Sequence, residues 1–483
     1  MSEAPSPVAK PAALTPDLCV IGAGTGGLAV ATAAAAFGVP VVLIERDRMG
    51  GEIGSTAVAA LTAASARAQA VREAGGFGLD VAAPIINDAR LHDHIQRVIA
   101  TTAPNVSAER MTALGVTVIR GEARFVSRST VVVGEQTIKA RRFVIATGAT
   151  EVAPPIPGLD LIACLTPASL ATATRRPERL IVLGGDGTGV AIAQAMARLG
   201  SDVTLVEPGG LLASEDPEAV TILRRALLRE GVALHEQAPV LSARSRKGGV
   251  SLVLADGEGG IERTIEGTHL LLATARAPAI TSLDLELAGI ASGVDGIRVD
   301  RGLRSTNRRV YAIGRCAAGM TGGAMVAEEH ARLVLRHALF RQSGRFDPHL
   351  APRVTQTEPA LASVGLSEAE ARAAHGAIQV LRWPYAESGF ARSMRMTAGF
   401  VKLITDAKGK VLGVCIAGAQ AGELIATWSL ALKSGKSAQE MAQLILPDST
   451  LAEIAKRAAT SHFVPLATKP GLRRLIGFLR RFG

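Results

Sequence analysis

Short apolar runs alternate with a stretch of small residues at the start of the chain. Residues 18–21 and 39–44 are the apolar runs, and residues 28–37 between them are mostly alanine. Continuous apolar runs of this length are typical of buried parallel strands. The pattern therefore predicts a strand, a helix and a second parallel strand that ends at Glu45.

A glycine-rich turn joins the first predicted strand to the helix. It reads Gly22-Ala23-Gly24-Thr25-Gly26-Gly27. Gly22 suits a tight turn, Gly24 lets the backbone approach a pyrophosphate, and Gly27 allows the helix to pack closely on the strand. The helix N-terminus offers N–H donors to phosphates, and Glu45 is placed to accept ribose hydroxyls. We therefore predict a dinucleotide site here.

The same pattern returns near residue 180. An apolar run at 180–183 leads into Gly184-Gly185-Asp186-Gly187-Thr188-Gly189, a helix pattern at 190–199 and a strand pattern at 203–206. Asp186 stands at the middle glycine position, where a carboxylate repels pyrophosphate, although Gly185 and Gly187 leave the loop room to adjust. Glu207 follows the second strand and favours NADH, because a carboxylate accepts a ribose 2′-hydroxyl and repels a 2′-phosphate.

Composition narrows the class of protein. The 483 residues are 48% hydrophobic and only 3% aromatic, which indicates two or three domains with aliphatic cores and argues against nucleic-acid binding by base stacking. No run reaches the roughly 18 apolar residues of a membrane span, and the N-terminus lacks the apolar core of a signal peptide.

The cysteines are far apart and form neither a CxxC pair nor a metal cluster: Cys19, Cys164, Cys316 and Cys415. We predict a cytoplasmic protein with reduced thiols and no metal.

The segment after the first unit resembles the active-site segment of the pyridine nucleotide–disulfide oxidoreductases, the family of dihydrolipoamide dehydrogenase and mercuric reductase. It reads Gly50-Gly51-Glu52-Ile53-Gly54-Ser55-Thr56-Ala57-Val58-Ala59-Ala60-Leu61-Thr62. The family has Gly-Gly-x-Cys-x4-Cys-x3-Lys, and its cysteines form the redox disulfide beside the flavin. Ile53 and Val58 stand at the cysteine positions and Thr62 at the lysine. Further segments resemble the family in the same order, at residues 121–125, 143–148, 271–276, 310–314, 357–366 and 399–403.

The resemblance implies an α/β fold with two Rossmann-like dinucleotide-binding domains, the NAD domain inserted in the FAD domain, and a C-terminal α+β dimerisation domain. We therefore expect a homodimer. The expected parts are a disordered tail at 1–16, an FAD-binding domain at 17–151 and 281–346, an NAD(P)-binding domain at 152–280, a dimerisation domain at 350–467 and an amphipathic basic tail at 468–483.

The resemblance also assigns the cofactors, with FAD in the first unit and NADH, in preference to NADPH, in the second. The residues expected at FAD are Gly22, Gly24, Gly27, Glu45, Gly51, Ala123, Thr147, Gly148, Gly314, Arg315 and Ala327. The residues expected at NAD are Gly184, Gly185, Gly187, Gly189, Glu207 and Arg276.

Several charged positions of the family pattern are altered. Thr62 replaces the lysine and Ala191 the glutamate that pairs with it, so both halves of one ion pair are missing. Asp448 stands at the family's proton-transfer histidine and Glu453 is retained. Both are weak catalytic candidates, and the alternative for Asp448 is an acid that caps the following helix. Arg315 replaces the aspartate that binds the flavin ribityl chain. It either weakens FAD binding, by about 1.5–3 kcal/mol, or contacts the pyrophosphate.

The missing sulfur atoms limit the function. Because Ile53 and Val58 cannot form thiolates, dithiol–disulfide exchange cannot run from this segment. The favoured function is an FAD-dependent oxidoreductase that passes electrons from NADH to a quinone or another small acceptor. The alternative is a non-catalytic nucleotide sensor or dimeric scaffold, to which Asp186 and Arg315 point. Turnover of lipoamide, glutathione or mercuric ion is least favoured, because it needs paired thiols.

The basic charge is concentrated at the C-terminus. The net charge is +10, and no acidic residue follows Glu453. At about 100° per residue, the last fourteen residues place apolar side chains on one side of a helix and four arginines on the other. This pattern is typical of a helix in a membrane interface. The alternative is docking on the protein's own body or on the partner subunit. Membrane contact at the cytoplasmic side would bring a lipid-soluble quinone within reach.

Overall fold

The computed structural model describes residues 12–51, 54–256, 261–274, 276–320, 322–464 and 470–482. The strands are β1 (Leu18–Ile21), β2 (Val41–Glu45), β3 (Thr117–Arg120), β4 (Ala123–Ser127), β5 (Thr130–Val133), β6 (Gln136–Ile138), β7 (Arg142–Ile145), β8 (Ala149–Glu151), β9 (Arg179–Leu183), β10 (Asp202–Glu207), β11 (Ala233–Glu236), β12 (Val240–Arg246), β13 (Gly249–Asp256), β14 (Ile261–Gly267), β15 (His269–Leu272), β16 (Arg276–Pro278), β17 (Ser292–Gly293), β18 (Gly296–Ile297), β19 (Val310–Ala312), β20 (Arg353–Thr355), β21 (Ala360–Gly365), β22 (Ile378–Pro384), β23 (Phe400–Asp406) and β24 (Val411–Gly418).

The helices connect these strands and cover the sheets. They are α1 (Thr25–Ala36), α2 (Gly54–Glu73), α3 (Asp88–Thr102), α4 (Ala108–Ala113), α5 (Pro167–Ala171), α6 (Gly187–Arg198), α7 (Pro217–Arg229), α8 (Ala324–Ala338), α9 (Glu368–His375), α10 (Gly389–Ser393), α11 (Ala421–Lys433), α12 (Ala438–Ala442), α13 (Ala452–Thr460) and α14 (Pro470–Leu479).

The first sheet is parallel, with the strand order β19-β7-β1-β2-β3. Leu18 and Val20 of β1 pack on helices α1 and α8, whereas Cys19 and Ile21 pack on the small antiparallel sheet β4-β5-β6. Both faces of β1 are therefore buried. This explains why the strand is a continuous apolar run rather than an alternating one.

The second sheet, β11-β10-β9-β15, repeats this arrangement and is also parallel. Leu180 and Val182 of β9 pack with α6 and α7, and Ile181 and Leu183 pack with the antiparallel sheet β12-β13-β14. An antiparallel ribbon, β8-β16, links the two units because β8 follows β7 and β16 follows β15.

The C-terminal sheet is antiparallel, with the order β20-β21-β24-β23-β22, and helices α11 and α13 pack on it. The predicted α/β class, with two parallel-sheet units and a C-terminal α+β domain, is confirmed.

Buried ion pairs attach the second unit to the C-terminal domain. The buried Arg198 guanidinium contacts Glu230 at 2.7 Å and Glu358 at 2.5 Å. Lys402 of β23 is also buried and contacts Asp216 at 2.6 Å, at the N-cap of α7. A buried cation requires nearby anions, so these pairs restrict how the second unit sits against the C-terminal sheet.

The predicted disordered tail needs a correction. Residues 1–11 lie outside the described residues. The Leu14 N–H, however, donates to the Thr137 carbonyl at 2.9 Å, and the Lys139 N–H donates to the Leu14 carbonyl at 2.8 Å. Because β6 offers unpaired backbone groups at the edge of its sheet, residues 14–16 are ordered there and the prediction is wrong for them.

Candidate functional site

A cavity of about 2260 Å³ lies where the two parallel-sheet units face each other. Both glycine-rich loops reach it, as expected at the carboxyl ends of parallel strands. Of the residues predicted to contact cofactors, those that line it are Gly22, Gly24, Glu45, Gly51, Ala123, Thr147, Gly148, Gly185, Gly187, Glu207, Arg276, Gly314, Arg315 and Ala327. Gly27, Gly184 and Gly189 are not among the residues that line the cavity.

Those three glycines serve helix packing and turn geometry. A Cβ on Gly27 would strike the Gly22 carbonyl oxygen, and a Cβ on Gly189 would strike that of Gly184. Gly184 itself has a φ of +115°, which residues other than glycine rarely adopt. In each unit the last glycine lets the helix approach the preceding strand.

Gly24 faces open space in the first loop. No atom lies within 4 Å of the position that a Cβ on Gly24 would take. Helix α1 begins directly after Gly24, and no side chain caps it. The first backbone N–H groups of α1 therefore point towards space that a pyrophosphate can fill.

A carboxylate occupies the equivalent place in the second loop. Asp186 Oδ1 accepts hydrogen bonds from the backbone N–H groups of Thr188 at 3.0 Å and Gly189 at 2.8 Å. Burial raises the pKa of Asp186, while these hydrogen bonds and the charge of Arg315 act in the opposite direction. The side chain of its N-cap residue thus caps helix α6, and a pyrophosphate at this helix N-terminus would compete with that carboxylate for the same N–H groups.

The two strand-end glutamates are held alike. Glu45 accepts a hydrogen bond from the Ala23 N–H at 2.6 Å, and Glu207 accepts one from the Gly185 N–H at 2.5 Å. Both carboxylates line the cavity. Backbone donors in each glycine-rich loop therefore fix an acceptor where a ribose is expected.

The Gly314-Arg315 turn forms part of the cavity wall. The Arg315 side chain is exposed, and its Nε donates to the Gly322 carbonyl at 3.4 Å. Cys316, the next residue, is fully buried, and burial raises the pKa of its thiol. Its thiol is therefore protonated at neutral pH and does not line the cavity.

Helix α2 supplies a wall of short uncharged side chains. Val58 and Thr62 line the cavity, as does Ala191 of α6. The Thr62 hydroxyl donates to the Ala59 carbonyl at 3.0 Å, within its own helix. Thr62 and Ala191, which stand at the positions of the family's lysine–glutamate pair, thus both line the cavity, and neither places a charge there. Ile53 lies outside the described residues.

The weak catalytic candidates are not among the described residues that line the cavity. Asp448 is exposed in the loop before α13, whose N-cap is Leu451, so the interpretation of Asp448 as a helix cap is wrong. Glu453 accepts a hydrogen bond from the Ser388 hydroxyl at 2.7 Å and pairs with Arg457 at 3.3 Å. Within one chain, Glu453 therefore supports the C-terminal domain.

Sequence reasoning missed a buried histidine behind the Gly314 turn. His330 Nδ1 accepts a hydrogen bond from the Gly314 N–H at 3.1 Å. Burial lowers the pKa of His330 to about 4. The one available signal was the helical spacing that places His330 on the buried face of α8 with Val326 and Val334, and that spacing does not reveal a partner.

Comparisons with known proteins agree with this geometry. The pyridine nucleotide-disulphide oxidoreductase model matches residues 16–332, and the dimerisation domain of those enzymes matches residues 351–459. A mercuric reductase from Streptomyces lividans is 32% identical over 456 residues, which cover 92% of this chain and 95% of the relative. A dihydrolipoyl dehydrogenase from Thermus scotoductus is 32% identical over 460 residues, which cover 92% and 97%.

Solved structures share the fold. LpdA from Mycobacterium tuberculosis matches with a TM-score of 0.83 at 25% identity, covering 92% of this chain and 99% of its own. The HOCl-induced flavoprotein disulfide reductase RclA from Escherichia coli matches with a TM-score of 0.80 at 25% identity and the same coverage.

Two dinucleotide-binding units and a C-terminal dimerisation domain define a flavoprotein oxidoreductase of the type that uses nicotinamide cofactors. The chain belongs to the pyridine nucleotide–disulfide oxidoreductase family. The predicted FAD and NAD(P)H cofactors and the homodimer are confirmed at the level of the family. Among the described residues, no helix has the length and apolar character needed to span a membrane.

Proposed function

We propose that this enzyme passes electrons from NADH through FAD to a small acceptor that is not a disulfide. One observation carries the proposal: no cysteine is among the described residues that line the cavity shared by the two loops. Of the chain's cysteines, Cys19, Cys316 and Cys415 are buried and Cys164 is half-buried. Burial raises the pKa of all four thiols, which opposes thiolate formation.

We assign FAD to residues 17–151 and 281–346, NADH to residues 152–280 and dimerisation to residues 350–467. The open space at Gly24 and the uncapped start of α1 fit the pyrophosphate of FAD. In this assignment Glu45 accepts ribose hydroxyls, and Arg315 contacts phosphate in place of the ribityl chain. FAD, when bound, supplies the ability to take a hydride from NADH and to release electrons singly or in pairs.

The second loop supports NADH rather than NADPH. Glu207 is held in the cavity by the Gly185 N–H at 2.5 Å, and its charge opposes a 2′-phosphate. Asp186 competes with the pyrophosphate for the Thr188 and Gly189 N–H groups. We therefore expect NADH to bind, but less tightly than a loop with glycine at residue 186 would allow.

The wall formed by Val58, Thr62 and Ala191 supports a neutral acceptor. Short uncharged side chains leave room for a planar ring and present no buried charge that would need a partner. A quinone meets these requirements. The overall reaction is NADH plus a proton plus quinone giving NAD⁺ and quinol, so two electrons and two protons reach the acceptor.

The C-terminal tail supports a lipid-soluble acceptor. The described tail residues are all exposed, and the large apolar ones are 38% to 75% exposed: Leu472, Leu475, Ile476, Phe478, Leu479 and Phe482. Four arginines lie within the same segment. Each basic residue near anionic lipid contributes about 1 kcal/mol. We therefore propose reversible contact between this tail and the inner face of an anionic membrane.

Co-sedimentation with anionic liposomes tests the tail. The full chain should sediment at low salt and less at high salt, and a chain ending at Thr468 should remain in solution. A matched control replaces Arg473, Arg474, Arg480 and Arg481 by glutamine and keeps the apolar side. If the full chain also remains in solution, or if both forms sediment alike, membrane contact is excluded and quinone loses this support.

Anaerobic spectroscopy tests the electron transfer. The purified homodimer should be yellow, NADH should bleach it, and a soluble quinone should restore the colour. Oxidised lipoamide should not restore it. A colourless protein that does not take up FAD would contradict the proposal. So would rapid reoxidation by lipoamide but not by quinone.

A non-catalytic nucleotide sensor is the second candidate, and the self-capped second loop favours it. If Asp186 excludes NADH completely, the protein retains FAD but is not reduced by NADH at any practical concentration. The same spectra therefore separate the two candidates.

A further inference from the structure

A fully buried histidine lies behind the Gly314-Arg315 turn. His330 Nδ1 accepts the hydrogen bond from the Gly314 N–H at 3.1 Å. Since this nitrogen accepts, it carries no proton, and the neutral ring has its proton on Nε2. The ring also packs against Phe346 in an edge-to-face contact, with centroids 4.2 Å apart. Phe346 and the hydrogen bond together fix the orientation of the imidazole.

Packing alone does not account for an imidazole at this position. His330 Nε2 is buried and has no hydrogen-bond partner among the described residues. Burying a polar atom without a hydrogen-bond partner is unfavourable, and an apolar side chain of similar size avoids that cost. The ring nitrogen that makes a hydrogen bond is therefore Nδ1, which accepts from the Gly314 N–H of the turn.

His330 gives the Gly314-Arg315 turn a hydrogen-bond partner from outside the turn. Gly314 has a φ of +68° and begins a short turn that ends at Cys316. Glycine is the residue with the greatest conformational freedom. Gly314 and Arg315 line the cavity, whereas His330 lies behind them. A hydrogen bond from the rear selects one orientation of the peptide that faces the cavity.

We propose that His330 is a positioning residue for the flavin: its neutral imidazole holds the Gly314 N–H and so presents Gly314 and Arg315 to the bound cofactor. This inference rests on the proposed binding of FAD in the first unit. Burial keeps His330 neutral, because it lowers the pKa to about 4 while the nearby Glu329 raises it less.

Helix α8 also contains a matched control. His337 lies two turns further along α8 and is buried too, but its Nε2 is 3.1 Å from the Gly344 carbonyl oxygen. His337 is not among the residues that line the cavity. Replacing it removes a buried imidazole from the same helix without changing the Gly314 turn.

The experiment compares H330L with H330N in the full-length homodimer. The two side chains have the same shape, but only asparagine offers an acceptor atom at the branch occupied by Nδ1. The measurements are the FAD dissociation constant, after reversible flavin removal, and the visible circular dichroism of bound flavin. H330L should weaken FAD binding on the order of tenfold and change the dichroism. H330N should stay within about threefold of the wild type, and H337L should match the wild type in both.

The outcomes are distinguishable. If the wild-type protein does not bind FAD, the proposed function fails. If the wild type binds FAD and H330L binds it as tightly as H337L, with an unchanged dichroism, the positioning role is overturned. Equal losses in H330L and H330N also overturn it, because a purely structural role does not depend on the acceptor atom. Far-UV circular dichroism establishes that each variant is folded before its affinity is measured.

Discussion

The two dinucleotide-binding units share an architecture but differ in what occupies the start of the helix. In both, a glycine with positive φ follows a buried parallel strand, and a loop N–H holds the glutamate at the end of the next strand. At Gly24 the helix N-terminus faces open space, whereas at Asp186 a carboxylate already accepts two of its N–H groups. The residue at one equivalent position thus decides the difference. With Gly24 the helix N-terminus is open to an anion, and with Asp186 the residue's own carboxylate fills that place.

From this difference we expect a local gain in stability to oppose ligand binding in the second unit. An aspartate at an N-cap stabilises a helix by about 0.5–2 kcal/mol, and the positive end of the helix dipole adds to this. A pyrophosphate competes for the same groups. We therefore expect Asp186 to stabilise the second unit and to weaken nucleotide binding there, whereas the N-terminus of α1 in the first unit is left open.

The largest expected effect comes from closing the open site. Gly24→Val fills the space next to the helix N-terminus, and we expect FAD binding to weaken by two orders of magnitude or more, equivalent to about 3 kcal/mol. Flavin absorbance relative to protein absorbance measures it. The control is Gly75→Val, at a glycine that also has no atom within 4 Å of an added Cβ but lies outside the cavity lining. Full flavin content in Gly24→Val would show that the first loop does not hold FAD.

Removing the Asp186 carboxylate from the second loop should strengthen nucleotide binding rather than weaken it. Asp186→Gly removes the cap and its charge, and we expect NADH to bind on the order of tenfold more tightly, with flavin content unchanged. Asp186→Asn keeps a capping acceptor without the charge and should give an intermediate value. Titration of NADH by isothermal calorimetry measures both. An unchanged NADH dissociation constant in Asp186→Gly would show that the Asp186 carboxylate does not compete with the pyrophosphate of NADH.

A smaller effect is expected at Glu207, the strand-end glutamate of the second unit, which tests the preference for NADH over NADPH. Glu207→Ala should weaken NADH by about fivefold through the loss of ribose hydrogen bonds. The effect on NADPH should be smaller or reversed, because a repulsive charge is removed. The ratio of the two dissociation constants is the measurement. Equal NADH affinity in the wild type and in Glu207→Ala would exclude the second loop as the NADH site.

The last expected effect concerns pH, and it appears in the stability of the fold rather than in nucleotide binding. The pKa of His330 is about 4 in the folded protein, lowered from 6.5 by burial and raised slightly by Glu329. Between these values the unfolded chain binds a proton that the folded chain does not, so stability falls as the pH falls from 6.5 to about 4. H330L should show a shallower loss of thermal stability in this window than the wild type. Identical slopes would indicate that His330 is not buried in solution.

Local patterns predicted most of the fold. The apolar runs, the glycine spacing and the strand-end glutamates depend on neighbours within about twenty residues, and β1, α1 and β2 follow them. Contacts between distant segments were not predictable. The pairing of Leu14 with the edge of β6 and the contact between His330 and Gly314 arise only when separate elements pack together.

Asp186 shows a signal that was present in the sequence but interpreted incompletely. Its repulsion of pyrophosphate was predicted, but aspartate is also a preferred N-cap residue, and the structure shows that role. Asp448 is the converse case, because its sequence suggested a cap and the helix begins beyond its reach. An N-cap prediction depends on the helix boundary, which is the least certain part of a sequence pattern.

The most direct test of the central claim is the number of electrons that the protein takes up. A flavin alone accepts two electrons, and a flavin together with a redox-active disulfide accepts four, because a disulfide is itself a two-electron couple. Anaerobic titration with dithionite, followed by flavin absorbance, counts them. We predict complete bleaching at two electrons per FAD. Uptake of four electrons per FAD would show that a disulfide shares the site and would contradict the account.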